Sequence, residues 1–164
     1  MAVGKTTVGQ LSAKRLGWSF LDSDAQLLAD TGRTAQAVFD TDGDEALRSL
    51  ESHALAEAIA HPVPVVIAVA GGVVLSEVNR ALLVRSGVVV WLRASITTLS
   101  ERVERGGARP RLDADPTQSL RDLYLTRHAL YASVAQFVVD VDDLPPEEVV
   151  ARIFEDTGLG NAEQ

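Results

Sequence analysis

Cysteine is absent from the 164 residues, which excludes disulfides, thiolate metal sites and a cysteine nucleophile. Lysine is scarce as well: only Lys5 and Lys14 occur among 15 Lys and Arg residues. A lysine retained in a chain that otherwise uses arginine marks a position of interest. No apolar run approaches the roughly 20 residues that span a bilayer, and no basic-then-apolar leader opens the chain. The protein is therefore expected to be cytoplasmic and to have no membrane partner. Positive charge is in deficit, with 15 cationic against 23 anionic side chains for a net −8. Such a surface repels a phosphate backbone and argues against nucleic acid as a partner. A small anion would need a local cluster of arginines working against the overall field. Hydrophobic residues at 46% and charged residues at 23% exclude a disordered tail or a collagen-like fibre. A length of 164 residues suits one core and is short for two. The expected division is a single domain over residues 1–157 followed by a frayed tail, 158–164.

Short β-branched runs alternate with amphipathic stretches. Val65 to Ala70 and Val88 to Leu92 are near-continuous apolar runs, the signature of strands buried on both faces of a parallel sheet. Ser19 to Asp22 and Phe137 to Val141 are weaker strand patterns. Helical spacing is found over Lys5–Leu16, Asp44–Ala60, Glu77–Arg85, Ile96–Arg105, Thr117–Ala135 and Pro146–Asp156. Strands alternating with helices predict parallel βαβ units and an α/β fold.

The first chemical signal is Gly4-Lys5-Thr6-Thr7, the second half of a phosphate-binding loop running into a helix. Backbone N–H groups at a helix start converge on phosphate, a lysine ammonium suits the β and γ oxygens, and a threonine hydroxyl suits Mg²⁺. A plain helix start is the alternative, but lysine there opposes the helix dipole. Next comes Asp22-Ser23-Asp24 at a strand end, where α/β sheets bind ligands. One carboxylate there suits Mg²⁺ and the other a substrate hydroxyl; alternatively Asp24 merely caps a helix starting at Ala25. Arg48 lies three residues before Glu51 on one helix face, an arginine braced by a carboxylate or else a surface pair. Gly71-Gly72 after the strongest strand either makes a plain turn or lets a ligand approach the backbone. Arg109-Pro110-Arg111 sits in a glycine-containing loop between helices, as a lid arginine does. Arg127 precedes Tyr131 by one helical turn. His53, His61 and His128 are expected at the surface, and Trp18 and Trp91 in packing roles.

In order and spacing, Gly4-Lys5-Thr6, Asp22-x-Asp24, the Gly43 to Glu51 stretch, Gly71-Gly72, Arg109-Pro110-x-Leu112 and Arg127-x-x-x-Tyr131 resemble the shikimate kinase family of P-loop kinases. The resemblance runs from about Gly4 to Val150. It implies a three-layer α/β P-loop kinase fold with a central parallel sheet, and transfer of the ATP γ-phosphoryl to a hydroxyl of shikimate. By the same resemblance Gly4, Lys5, Thr6, Thr7 and Arg109 bind ATP, and Thr6 and Asp22 hold Mg²⁺. Asp24, Arg48, Gly71, Gly72 and Arg127 bind shikimate, with Lys5, Asp24 and Arg109 as the catalytic set. The implied partners are the small molecules ATP and shikimate, and the implied state is a monomer. A gluconate-kinase-like enzyme and a non-catalytic nucleotide-binding module are the rivals. The sequence departs from the family pattern in four places. Ala2 replaces a loop glycine, Ala70 replaces the first of three glycines, Arg111 replaces a lid leucine, and Asp142-Asp143-Leu144-Pro145 lacks basic and amide residues. The family's loop is fed by a central strand that this chain does not carry, so about ten further residues forming an apolar strand are expected upstream. With them the chain is expected to fold and bind MgATP.

Overall fold

The computed structural model describes residues 2–105 and 116–160. In chain order the elements are α1 (Lys5–Leu16), β1 (Ser19–Asp22), α2 (Ser23–Thr31), α3 (Ala35–Ile59), β2 (Val65–Ala68), a 3-10 turn (Val73–Leu75), α4 (Glu77–Ser86), β3 (Val90–Arg93), α5 (Ile96–Arg105), α6 (Pro116–Val134), β4 (Phe137–Asp140) and α7 (Pro146–Thr157). All pairing is parallel: β1 runs beside β2 with Ser19 opposite Val65, and β3 beside β4 with Val90 opposite Phe137. The two pairs share no ladder among the described residues. They are tied together by α1, which packs on β1, β2 and α7.

Side chains alternate across a strand, so neighbouring residues enter different layers. Val90 and Leu92 join Val139, Val141, Val8 of α1 and Val149, Val150, Ile153 and Phe154 of α7 in one apolar cluster. Val89 turns the other way, into a cluster with Leu55 and Ile59 of α3, Leu82 and Leu83 of α4, and Leu130 and Val134 of α6. The result is the expected α/β arrangement, helices on both faces of parallel strands. A third cluster joins Leu27 of α2 to Val38 and Leu47 of α3, the last two fully buried.

Two helices begin earlier than the sequence pattern suggested. Asp22 caps α2, which starts at Ser23 and not at Ala25, and α3 begins nine residues before the expected Asp44. The expected start marks a real discontinuity: Gly43 breaks the helix with φ 88° and ψ 178°, a conformation an L side chain rarely adopts. The break aims the second half of α3, from Asp44 onward, independently of the first. Trp18, expected in packing, is 38% exposed. Trp91 does pack, against Tyr131.

Candidate active site

Within each parallel pair the strands end toward one side, the side on which parallel α/β sheets bind ligands. The phosphate loop begins it. Gly4 turns into α1 with φ 95°, and no side chain caps the helix. The first turn carries no acidic residue, so the N–H groups that open α1 keep their capacity for an anion. The Lys5 ammonium makes no hydrogen bond or ion pair among the described residues. Ala2 also adopts a positive φ, 55°, the only non-glycine described residue to do so. The strain falls on the residue that stands in for a loop glycine.

Thr6 and Asp22, sixteen residues apart, are brought together. Thr6 Oγ1 donates to Asp22 Oδ2 at 2.6 Å, and Asp22 Oδ1 accepts from the backbone N–H groups of Asp24 and Ala25 at 3.0 and 3.4 Å. Asp22 is therefore the helix cap, and the alternative assigning that work to Asp24 is corrected. The reason is register: β1 ends at Asp22, so its side chain is the first that can fold back over the new helix. Asp24 stays exposed in the first turn of α2, with no side-chain partner among the described residues. A carboxylate and a hydroxyl converging beside a helix N-terminus are hard oxygen donors of the kind Mg²⁺ takes, together with phosphate oxygens.

The β2 end supplies the second half of the site. Arg48 forms ion pairs with Glu51, which is 4% exposed, and with Asp44 at 2.8 Å. Burial works against the Arg48 charge, but the two carboxylates more than offset it and hold the guanidinium protonated. Gly72 is the reason this fits: a Cβ there would fall on Arg48 Nη1 and 2.5 Å from Glu51 Oε2. A Cβ on Gly71 would stand 2.9 Å from the Tyr131 hydroxyl and 3.8 Å from Arg127 Nη1. The two glycines thus hold open the floor on which Arg48 and Arg127 lie. Both arginines keep a buried Nε without a hydrogen-bond partner among the described residues, unusual for a buried polar atom. Ala70, by contrast, points its methyl into the core beside Leu55 and Val134 and is 4% exposed. Its departure from glycine does not crowd the arginines.

Two participants, Ser23 and Arg102, went unread in the sequence. Ser23, 3% exposed, accepts from Ala70 N–H at 2.7 Å and donates to Ala68 O at 3.2 Å, locking the aspartate segment to the glycine turn. A serine between two aspartates gives no signal of this. Arg102 of α5 donates to Val141 O at 2.7 Å and reaches Val3 O of the phosphate loop at 3.5 Å. Asp142 accepts from Ser95 N–H at 2.8 Å and is a structural acceptor. Arg109 and Arg111 lie outside the described residues. The histidines are at the surface as expected, His53 against Glu57 and His128 stacked on Tyr124.

No helix among the described residues is long and apolar enough to cross a membrane. A family model described as shikimate kinase matches residues 1–157. A shikimate kinase of Psychrobacter sp. is 38% identical over 156 residues, covering 94% of this chain and 86% of that one. One from Neisseria gonorrhoeae is 41% identical over 141 residues, 85% of this chain and 82% of its own. Among solved structures, shikimate kinase from Acinetobacter baumannii in complex with shikimate superposes with a TM-score of 0.90 at 32% identity, covering all of this chain and 91% of that one. The phosphate loop, the paired aspartates and the two arginines thus sit on a backbone shared from end to end with these enzymes, and the chain belongs to the shikimate kinase family.

Proposed function

We propose that this chain transfers the γ-phosphoryl group of ATP to a hydroxyl of shikimate, giving the phosphate monoester and ADP. The observation that carries the reading is the pair Arg48 and Arg127 over the Gly71-Gly72 floor, two guanidinium groups with buried, unpartnered Nε atoms. Shikimate carries one carboxylate and several hydroxyls, and two arginines beside an aspartate answer that chemistry. The carboxylate is bound by Arg48 and Arg127, and the free Asp24 orients the reacting hydroxyl and takes its proton. The start of α1, from Gly4 through Lys5, Thr6 and Thr7, cradles the ATP phosphates. Lys5, and Arg109 from the segment joining α5 to α6, stabilise the charge spread over the transferring group. Thr6 and Asp22 would hold Mg²⁺, which would supply neutralisation of phosphate charge. The same loop alone would suit any small-molecule P-loop kinase. What favours a carboxylate-bearing acceptor is the arginine pair.

Steady-state kinetics of Arg127→Ala test this. Loss of a charged hydrogen-bond partner in a desolvated site costs about 2–3 kcal/mol. The KM for shikimate is therefore expected to rise by roughly 30- to 150-fold while the KM for MgATP stays within about twofold. Equal effects on both substrates refute the assignment.

A further inference from the structure

Three elements meet at the Gly71 peptide. Tyr131 follows Arg127 by one turn of α6. Its ring packs on Trp91 of β3 with centroids 5.6 Å apart, and its hydroxyl donates to Gly71 O at 2.8 Å. The Gly71 steric positions put that hydroxyl and the Arg127 guanidinium side by side over one glycine. The Arg127 charge acts on the phenol in the direction opposite to burial. A trans peptide is planar, so drawing the Gly71 carbonyl toward Tyr131 turns the Gly72 N–H the opposite way. That N–H makes no hydrogen bond among the described residues, and it belongs to the glycine lying against Arg48. Burial raises the phenol above its ordinary value of 10.0, so it stays a donor through the neutral range.

We propose that Tyr131 is a positioning residue for the acceptor site: its hydroxyl fixes the Gly71-Gly72 peptide and the Arg127 guanidinium in the arrangement that receives the acceptor's carboxylate. The ring's packing on Trp91 needs only a phenyl group, so the hydroxyl is the part this role requires. The proposal rests on the reading of Arg48 and Arg127 as a carboxylate clamp.

Tyr131→Phe removes the hydroxyl and keeps the ring. Assayed in the full chain with MgATP and shikimate, it is expected to raise the shikimate KM about five- to tenfold, the range for losing one buried hydrogen bond. The kcat and the MgATP KM are expected to stay within about twofold. Arg127→Ala is measured alongside. An unchanged shikimate KM in Tyr131→Phe, with a raised one in Arg127→Ala, overturns the positioning role and leaves the clamp standing. A parallel rise in both substrates' KM overturns it too, since general loosening of the fold moves both. An unchanged shikimate KM in Arg127→Ala removes the clamp and the proposal with it. Should Tyr131→Phe fail to fold, Gly71→Ala reaches the same hydroxyl from the other side, its methyl displacing the phenol oxygen. The same selective rise supports the role, and an equal change in both KM values overturns it.

Discussion

Replacing Gly72 with alanine puts a methyl group into space that Arg48 already fills. The new carbon would overlap Nη1 of Arg48 and stand 2.8 Å from its Cζ and 2.5 Å from Glu51 Oε2. Comfortable separation for such atoms is about 3.5–4.0 Å, so the guanidinium has to withdraw by on the order of 1 Å. It cannot withdraw far without leaving Glu51, a carboxylate 4% exposed. Its stem is fixed because Leu47, the preceding residue, is fully buried in the cluster joining α2 and α3. Two losses follow. Misplacing a substrate-positioning group by about 1 Å costs roughly 100-fold in rate, so kcat/KM for shikimate is expected to fall about that much, equivalent to ~2.8 kcal/mol. Weakening the Arg48–Glu51 pair without abolishing it is expected to cost about 2 kcal/mol, less than the full loss of a buried partner. For a domain of this size that lowers the melting temperature by roughly 4–8 °C. The assay is steady-state kinetics with each substrate varied, plus a thermal scan, on Gly72→Ala, Arg48→Ala and the double variant. In the double variant the methyl meets no guanidinium, so its penalty on shikimate turnover is expected to vanish. Shikimate kcat/KM within about threefold of the parent for Gly72→Ala, or penalties that add fully in the double variant, would refute the steric reasoning.

Two further outcomes follow from the same geometry. Ser23→Ala leaves Ala70 N–H and Ala68 O without their hydroxyl, and a thermal scan is expected to show a loss of about 1–3 kcal/mol, with shikimate KM raised more than MgATP KM; unchanged stability contradicts the link between the aspartate segment and the glycine turn. Between β3 and β4, Arg93 donates to both oxygens of Asp140 at 2.6 and 2.8 Å, and that hydrogen-bonded pairing holds the Asp140 carboxyl below its ordinary 3.8. A depressed carboxyl contributes stability above its unfolded value and loses it as pH falls through the folded one. Asp140→Asn is therefore expected to lower the melting temperature slightly at pH 7 and not at about pH 2; the pair is exposed, so the effect is small, and an equal effect at both pH values contradicts it.

The strands and most helices were legible because their signals are local: unbroken β-branched runs for β2 and β3, and helical spacing for α1, α4, α5 and α7. The first half of α3 was not, and α2 was legible only as an alternative starting at Ala25. Thr41-Asp42-Gly43-Asp44 reads as a turn, and Gly43 does turn the chain, but between two helical segments and not from loop to helix. The apolar residues that justify the first segment, Leu27 and Val38, are too sparse to give a period; they are buried against Leu47, a partner no window of sequence identifies. Pairing two by two is likewise a tertiary result. The charged residues proposed for the site stood out because a scarce lysine, paired aspartates and isolated arginines are conspicuous in the sequence. The positioning groups were not, since Ser23 and Arg102 act on backbone carbonyls and amides that any residue offers. Ala70 departs from the family's glycine without consequence for the site, because its methyl is directed to the core.

The central claim is tested most directly by incubating the purified chain with MgATP, with and without shikimate, following ADP release and identifying the product by phosphorus NMR. ADP formation dependent on shikimate, matched one for one by a new phosphate monoester of shikimate, is the predicted result. ADP formation indifferent to shikimate, or none by a chain that is folded and binds MgATP, would contradict it.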